Sequence, residues 1–336
     1  MKNSVVLMSL LVILFFLLCS GLLVGSVNIK ITDLYHFLFD YDNSNSYHYV
    51  LLNVRMPRLL LAALVGALLS LSGYLAQTMF NNPLADPYIL GTASGASIGA
   101  NLVNIGWVPA VFSGFAGASV LGFAGALLVT FIASAIAYEN GKIAPSKLLL
   151  TGVAMSSLAT AIVSMFTFLA EDQQHLRNIL FWIMGSFDRA VWEYIPILLA
   201  VLVLILTVLY AYKDHFVLLI LGESRAADLG LAVHKFRWLL LVLIALMVAV
   251  CVATAGPIGF VGLIIPHLVR GMFGVTGKFN LFYTAFIGAI FMLACDLIAR
   301  LIYPPVGMPI GIVTSLCGIP FFIWLLNSKK YRFTAA

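Results

Sequence analysis

Stretches of about twenty apolar residues recur along the chain, broken only by short polar connections, and that is the length an α-helix needs to cross the hydrocarbon core of a bilayer. A soluble fold would have to cover such runs with polar surface. With 62% of 336 residues hydrophobic and 9% charged, the chain lacks that surface and reads as an all-α, polytopic membrane protein. Its length holds about ten transmembrane helices in one domain covering 1–336. The net charge of +5 comes from basic residues scattered through the connections, as expected of a membrane protein, and nucleic acid is excluded as a partner.

The first run, Val5 to Val27, is longer than the apolar part of a signal peptide and lacks a small-residue cleavage site, so it reads as the first span. Asn28 to Asn53 is polar and tyrosine-rich and predicts an external loop with a short interfacial helix. The second span, Pro57 to Phe80, opens on Arg55-Met56-Pro57-Arg58, where proline can start a helix. Two prolines and two asparagines in Asn81 to Pro87 forbid continuous helix. The third span, Leu90 to Val108, carries Gly91, Gly95 and Gly99 four residues apart, a face that another helix can approach closely; with Ser94 it is also a candidate pathway wall. Further spans read at Val111 to Tyr138, Leu148 to Ala170, Tyr194 to Tyr212 and Trp238 to Ala255, with the polar excursion Glu171 to Glu193 half-buried around Trp182. Gly256-Pro257-Ile258-Gly259 breaks the helix before a short eighth span ending near His267 and Arg270, and Leu281 to Tyr303 and Pro309 to Leu326 complete the set.

Ten spans place both termini on one side, and Lys329, Lys330 and Arg332 make it the cytoplasmic side. Arg55, Arg58 and Arg300 then lie at the outer ends of spans two and nine, against the positive-inside bias. A cation beside the bilayer is costly unless paired, and Asp296, four residues before Arg300, can pair with it. The other reading is a basic surface for an acidic partner outside the membrane, since the guanidinium fork grips carboxylates. On the cytoplasmic side, Leu221 to Leu231 sets Glu223, Ser224, Arg225, Ala226, Asp228 and Leu229 between Gly222 and Gly230. This is a helix of about two turns, too short and charged to span; it is either a solvated loop or a docking handle.

The sequence holds no phosphate-binding G-x-x-x-x-G-K-[ST] loop, no G-x-S-x-G elbow, and no carboxylate pair inside an apolar run. The four cysteines, Cys19, Cys251, Cys295 and Cys317, sit in apolar runs without metal-ligand spacing, and the histidines show none either. No metal site, cofactor or catalytic residue is expected, and any nucleotide chemistry belongs to another chain.

Arg55-Met-Pro-Arg58, Gln77, Asn82-Pro-Leu-Ala-Asp-Pro87, Leu90-Gly91 and Ser94-Gly95-Ala96 resemble the permeases of type II ABC importers that carry iron chelates and vitamin B12. Trp182-x-x-Gly185-Ser186, Leu221-Gly222-Glu223 with Leu229-Gly230, Gly256-x-Ile258-Gly259-Phe260-Val261-Gly262, Pro266-His267 and Pro309-x-Gly311 continue the resemblance along nearly the whole chain. The resemblance implies a ten-helix subunit paired with a second copy or a paralogue, above two ATPase subunits that hold ATP and magnesium. It also implies that Gly222 to Leu231 is a coupling helix, that Arg55, Arg58 and Arg300 meet an extracytoplasmic substrate-binding protein, and that Ser146 sits at a cytoplasmic gate. A departure is Gly307, where many members carry glutamate. The implied function is import of a siderophore, haem or cobalamin across the inner membrane. The rival is a proton-coupled secondary transporter, for which Asp296 is the one intramembrane carboxylate; a membrane enzyme is weaker for want of an acid–base pair.

Overall fold

A computed structural model describes residues 2–327, apart from 26, 28, 43, 113, 140, 171, 172, 221, 276, 278, 303, 305 and 306. Leu221, Lys278 and the basic cluster Lys329, Lys330 and Arg332 therefore lie outside the described residues.

The helices are α1 (Lys2–Leu23), α2 (Ile31–Phe39), α3 (Ser46–Val50), α4 (Met56–Met79), α5 (Thr92–Asn104), α6 (Gly114–Ala137), α7 (Pro145–Phe168), α8 (Gln173–Met184), α9 (Tyr194–Ala211), α10 (Lys213–Ile220), α11 (Glu223–Asp228), α12 (Val233–Ala255), α13 (Val261–Phe273), α14 (Asn280–Ile302) and α15 (Ile310–Asn327). A two-stranded turn, β1 (Tyr138–Glu139) and β2 (Lys142–Ile143), joins α6 to α7. Each expected span has a helix, but the count of ten is met only in part. Seven helical stretches among the described residues have the length and hydropathy to cross a membrane. The spans expected near Leu90 and before His267 are shorter: α5 and α13 have 13 residues each, about 20 Å of helix against a hydrocarbon core of about 30 Å, whereas α15, after Pro309, is as long as α9. The half-buried excursion at Trp182 is a helix, α8, with Ile179 and Trp182 turned inward.

The core is built around α4, in which every residue from Val65 to Met79 is buried. A helix apolar on all sides must be surrounded by others, and α14, α12, α13 and α9 pack around it. Lipid is as apolar as leucine, so close backbone approach replaces the hydrophobic drive, and glycine permits it. A Cβ on Gly66 would collide with the Gly288 carbonyl of α14, and one on Gly73 with that of Gly262 in α13. The expected glycine face divides: Gly95 and Gly99 do meet α6, at Gly125 and Leu121, whereas Gly91 precedes the helix and turns the chain into it at φ 76°.

Two prolines shape the helices around α4. Pro57 has no N–H to donate within the helix, and the turn before it widens into a π-turn, Leu51–Arg55, with the Met56 N–H reaching back to the Leu51 carbonyl. Pro266, inside α13, likewise has no N–H for the carbonyl of Gly262. The Gln77 amide of α4 fills that gap: its Nε2 donates to Gly262 O at 3.3 Å and Leu263 O at 3.1 Å. Its Oε1 accepts from Arg270 Nη1 at 2.7 Å, and Arg270 stacks over the Tyr74 ring. Gln77→Leu removes donor and acceptor together and is expected to lower stability by about 1–3 kcal/mol, read as a lower Tm of the detergent-purified protein. Gln77→Glu, which keeps the acceptor for Arg270, should fall between it and the wild type.

Candidate functional site

Three places carry the polar chemistry: the end of the bundle where α1 meets α4 and α14, the helix break between α12 and α13, and the short helix α11.

At the first, the last turn of α1 leaves carbonyls without intrahelical donors. Arginines meet them. Arg55 Nη1 and Nη2 donate to the carbonyls of Leu22 and Val27, and Arg300 Nη1 donates to Gly21 O at 3.0 Å and Val24 O at 2.9 Å. Cations at a helix C-terminus also answer its dipole. Asp296, fully buried, sits between two arginines: Arg58 Nε is 2.9 Å from its Oδ1, and Arg300 Nε is 3.1 Å from its Oδ2, close enough for an ion pair though not aligned as a hydrogen bond. Arg58 Nη1 also pairs with Asp188, which is half exposed. The sequence left two readings for these arginines, the Arg300–Asp296 pair, which forms, and a basic surface made by Arg55, Arg58 and Arg300 together. Arg55 and Arg300 are instead buried and turned inward, because the end of α1 and Asp296 need their donors. Only the Arg58–Asp188 pair reaches the edge of the cluster.

At the second place the chain unwinds over Gly256 to Phe260, and Phe260 adopts a left-handed conformation (φ 70°) before α13 begins. Unwound backbone at membrane depth needs donors and acceptors from the protein. Tyr88 supplies both: its hydroxyl accepts from Ile258 N–H at 3.0 Å and donates to Ile258 O at 3.1 Å. Tyr88 is itself held by Asp86, whose Oδ1 accepts the Tyr88 N–H at 2.8 Å. The end of α8 docks onto the break, with Ser186 N–H donating to Ala255 O at 2.8 Å and Gly185 O accepting from Ile310 N–H at 3.1 Å. Two hollows open next to α8. One, between α5, α7 and α8, is lined by hydroxyls from Ser94, Ser97, Thr160, Ser164 and Thr167; the other is lined by Pro257, Gly259, Gly311 and Ser315. Ile183 of α8 borders both. Of the candidate pathway residues, Ser94 lines the first hollow and donates to Ser156 Oγ of α7 at 2.9 Å, Ser146 is exposed in the first turn of α7, and Gly91 and Gly95 are buried in helix contacts away from the lining.

At the third place Gly222, at φ 102°, leads into α11, and Gly230, at φ 87°, ends it. Gly230 N–H bonds Ala227 O and Leu231 N–H bonds Ala226 O, both at 2.9 Å, a closed left-handed cap that needs glycine at its centre. Ala226 and Leu231 are buried beneath it, and Glu223 Oε2 pairs with Arg237 of α12 at 2.9 Å. The element is thus fixed to α12 by its ends and one face. Ser224, Arg225, Ala227, Asp228 and Leu229 are left exposed, Leu229 at 61%.

Several of these residues were missed in the sequence. Asp188 and Arg237 carry no local signal, since their partners lie 130 and 14 positions away. The hydroxyls of α7 did carry one: Thr151, Ser156, Ser157, Thr160, Ser164 and Thr167 are frequent for a span. Among the described residues no group of three or more metal-ligating side chains occurs.

The burial contrast within the arginine cluster has a measurable consequence. Asp296→Ala leaves two enclosed guanidiniums without their carboxylate and is expected to cost about 3–5 kcal/mol. Asp188→Ala, at the half-exposed edge, should cost about 1 kcal/mol or less. Thermal unfolding of the two variants in detergent distinguishes them.

Known proteins resemble this chain in sequence and in fold. Residues 11–328 match the FecCD transport family. The hemin transport system permease protein HmuU of Yersinia pestis is 35% identical, with 92% of each chain covered. The Fe(3+) dicitrate transport system permease protein FecD of Escherichia coli is 35% identical over 86% of this chain and 88% of its own, and the cobalamin import system permease protein BtuC of Halobacterium salinarum is 38% identical over 83% and 73%. A solved metal-chelate type ABC transporter in an inward-facing conformation superposes with a TM-score of 0.82 at 30% identity, covering 97% of this chain and 99% of that one. The chain belongs to the FecCD transport family and is a multi-pass membrane permease of the ABC-importer kind.

Proposed function

We propose that this permease imports an iron chelate (siderophore or haem) or cobalamin across the cell inner membrane, as one half of a pair with a second copy or a paralogue. Two ATPase subunits carry ATP and magnesium and dock on the cytoplasmic side, where both termini lie, and a substrate-binding protein delivers cargo on the other. The cargo class is supported by relatives named for hemin, cobalamin and Fe(3+) dicitrate.

The observation that carries the reading is α11. A charged six-residue helix locked to α12 by a glycine cap and the Glu223–Arg237 pair transmits a push without absorbing it. Gly222, Glu223, Ala226 and Gly230 set the mount; Ser224, Arg225, Asp228 and Leu229 are the face that meets the ATPase. Cargo passes along the open side of α7, past Ser94, with Ser146 at the cytoplasmic end of the path; Gly91 and Gly95, buried against neighbouring helices, support that wall from behind. Hydroxyls without charges suit a bulky cargo that must not bind tightly. The proton-coupled alternative has no comparable support, since the Asp296 carboxylate is committed to two arginines.

On the opposite face, the cluster of Arg55, Arg58 and Arg300 holds three guanidiniums against Asp188 and Asp296, a positive surplus that draws an acidic partner. Arg58 makes the direct contact, a partner carboxylate replacing Asp188, and Arg55 and Arg300 act through the scaffold.

Arg225→Glu or Leu229→Asp should weaken ATPase docking by about 2 kcal/mol, roughly thirtyfold in affinity, and abolish cargo-stimulated hydrolysis and uptake in proteoliposomes. Normal stimulated hydrolysis and uptake in both variants would refute the coupling role. Arg58→Ala should weaken binding of the substrate-binding protein while Asp188→Asn strengthens it; an unchanged Kd for Arg58→Ala removes the docking role.

A further inference from the structure

The helix α2 takes no part in the sites above, yet it carries an apolar face that no described residue covers. Ile31, Tyr35, Leu38 and Phe39 recur at i, i+4, i+7 and i+8, the spacing of one helical face, and are 74%, 60%, 65% and 74% exposed. Thr32, Asp33 and His36 occupy the remaining surface.

That face is held outward by packing on the other side of the helix. Phe37 meets the ring of His48 edge-on at 5.8 Å, Tyr41 stacks on the same ring at 5.5 Å, and His48 Nδ1 accepts the Asp42 N–H at 2.9 Å. His48 is buried, so α2 is pinned to α3 through it. The Lys30 N–H donates to Asp33 Oδ2 at 2.9 Å and fixes the start of the helix.

We infer that α2 lies flat at the boundary between headgroups and acyl chains, with Ile31, Tyr35, Leu38 and Phe39 in the lipid. Its position argues for lipid over a soluble partner. The helix follows the span Ser4–Leu23 after a short connection, so its start is held near the level where that span leaves the bilayer. The apolar face is continuous in kind with α1, whose Met8, Leu11, Val12, Phe15 and Phe16 are equally uncovered. Tyr35, Tyr41, Tyr47 and Tyr49, all exposed, give the segment the aromatic character of a membrane interface. Lys30 stands against Asp33, Asp40 and Asp42, a net charge of −2, so attraction to anionic lipid does not contribute and apolar burial alone holds the helix.

The test uses His36→Cys, Leu38→Cys and Phe39→Cys in the full chain, reconstituted in phosphatidylcholine nanodiscs and treated with a water-soluble maleimide, with the wild type giving the background of the native cysteines. His36→Cys should label several-fold faster than Leu38→Cys and Phe39→Cys, and adding phosphatidylglycerol should leave that ratio unchanged. A fluorophore on Tyr35→Cys should be quenched by lipids carrying a nitroxide near the headgroup. Equal labelling of the three variants overturns the inference, as does protection that appears only with anionic lipid or only after a soluble protein is added. Monodisperse elution of each variant confirms that the readout comes from folded protein.

Discussion

Backbone lies against backbone where α4 crosses its neighbours, and the rest of the structure depends on those crossings. In lipid, burying a leucine against another leucine gains little over leaving it in acyl chains, so helix association rests on dense packing and internal hydrogen bonds. Gly66 against Gly288 and Gly73 against Gly262 bring α14 and α13 onto α4 at distances that no side chain would permit. The short helix α13 packs directly on α4, and the short helix α5 is enclosed by α6, α7 and α12.

The same solvent makes each unpaired carbonyl expensive, and the polar side chains of the bundle are placed accordingly. Gln77 answers the carbonyl that Pro266 frees, Tyr88 answers the unwound backbone at Ile258, and Arg55 and Arg300 answer the end of α1. Each residue could pass for a ligand-binding group in a linear reading. Each is first a structural partner, and what remains uncommitted is the Arg58–Asp188 edge, the hydroxyl-lined hollow beside α7 and the open face of α11. The elements that join these places are stiff. The end of α8 is tied both to the break after α12 and to the start of α15, and α11 is mounted on α12, so one helix relates α11 to the break.

Much of this was legible in residue order. Apolar runs located a helix for each expected span, Gly222 and Gly230 bounded α11, and Gly256 to Gly259 marked the break, because these signals are local: period, breaker and cap. The helices α5 and α13 fell short of spanning length, since hydropathy does not register where a buried helix may stop once its neighbours cover it. The helix α8 was obscured by its polar flank, and the turn at Gly91 by its regular spacing with Gly95 and Gly99.

The sequence by itself determined that the chain is a helical membrane protein, where its helices break, which short element is too charged to span, and the family motifs it carries. Tertiary structure alone decided what the charged and polar groups are for. Whether Arg55 faces a partner or the carbonyls of Leu22 and Val27, or Glu223 faces solvent or Arg237, depends on which helices are brought together. A guanidinium in a low-dielectric bundle takes the nearest available acceptor, and nearness is a property of the packed fold, not of position along the chain.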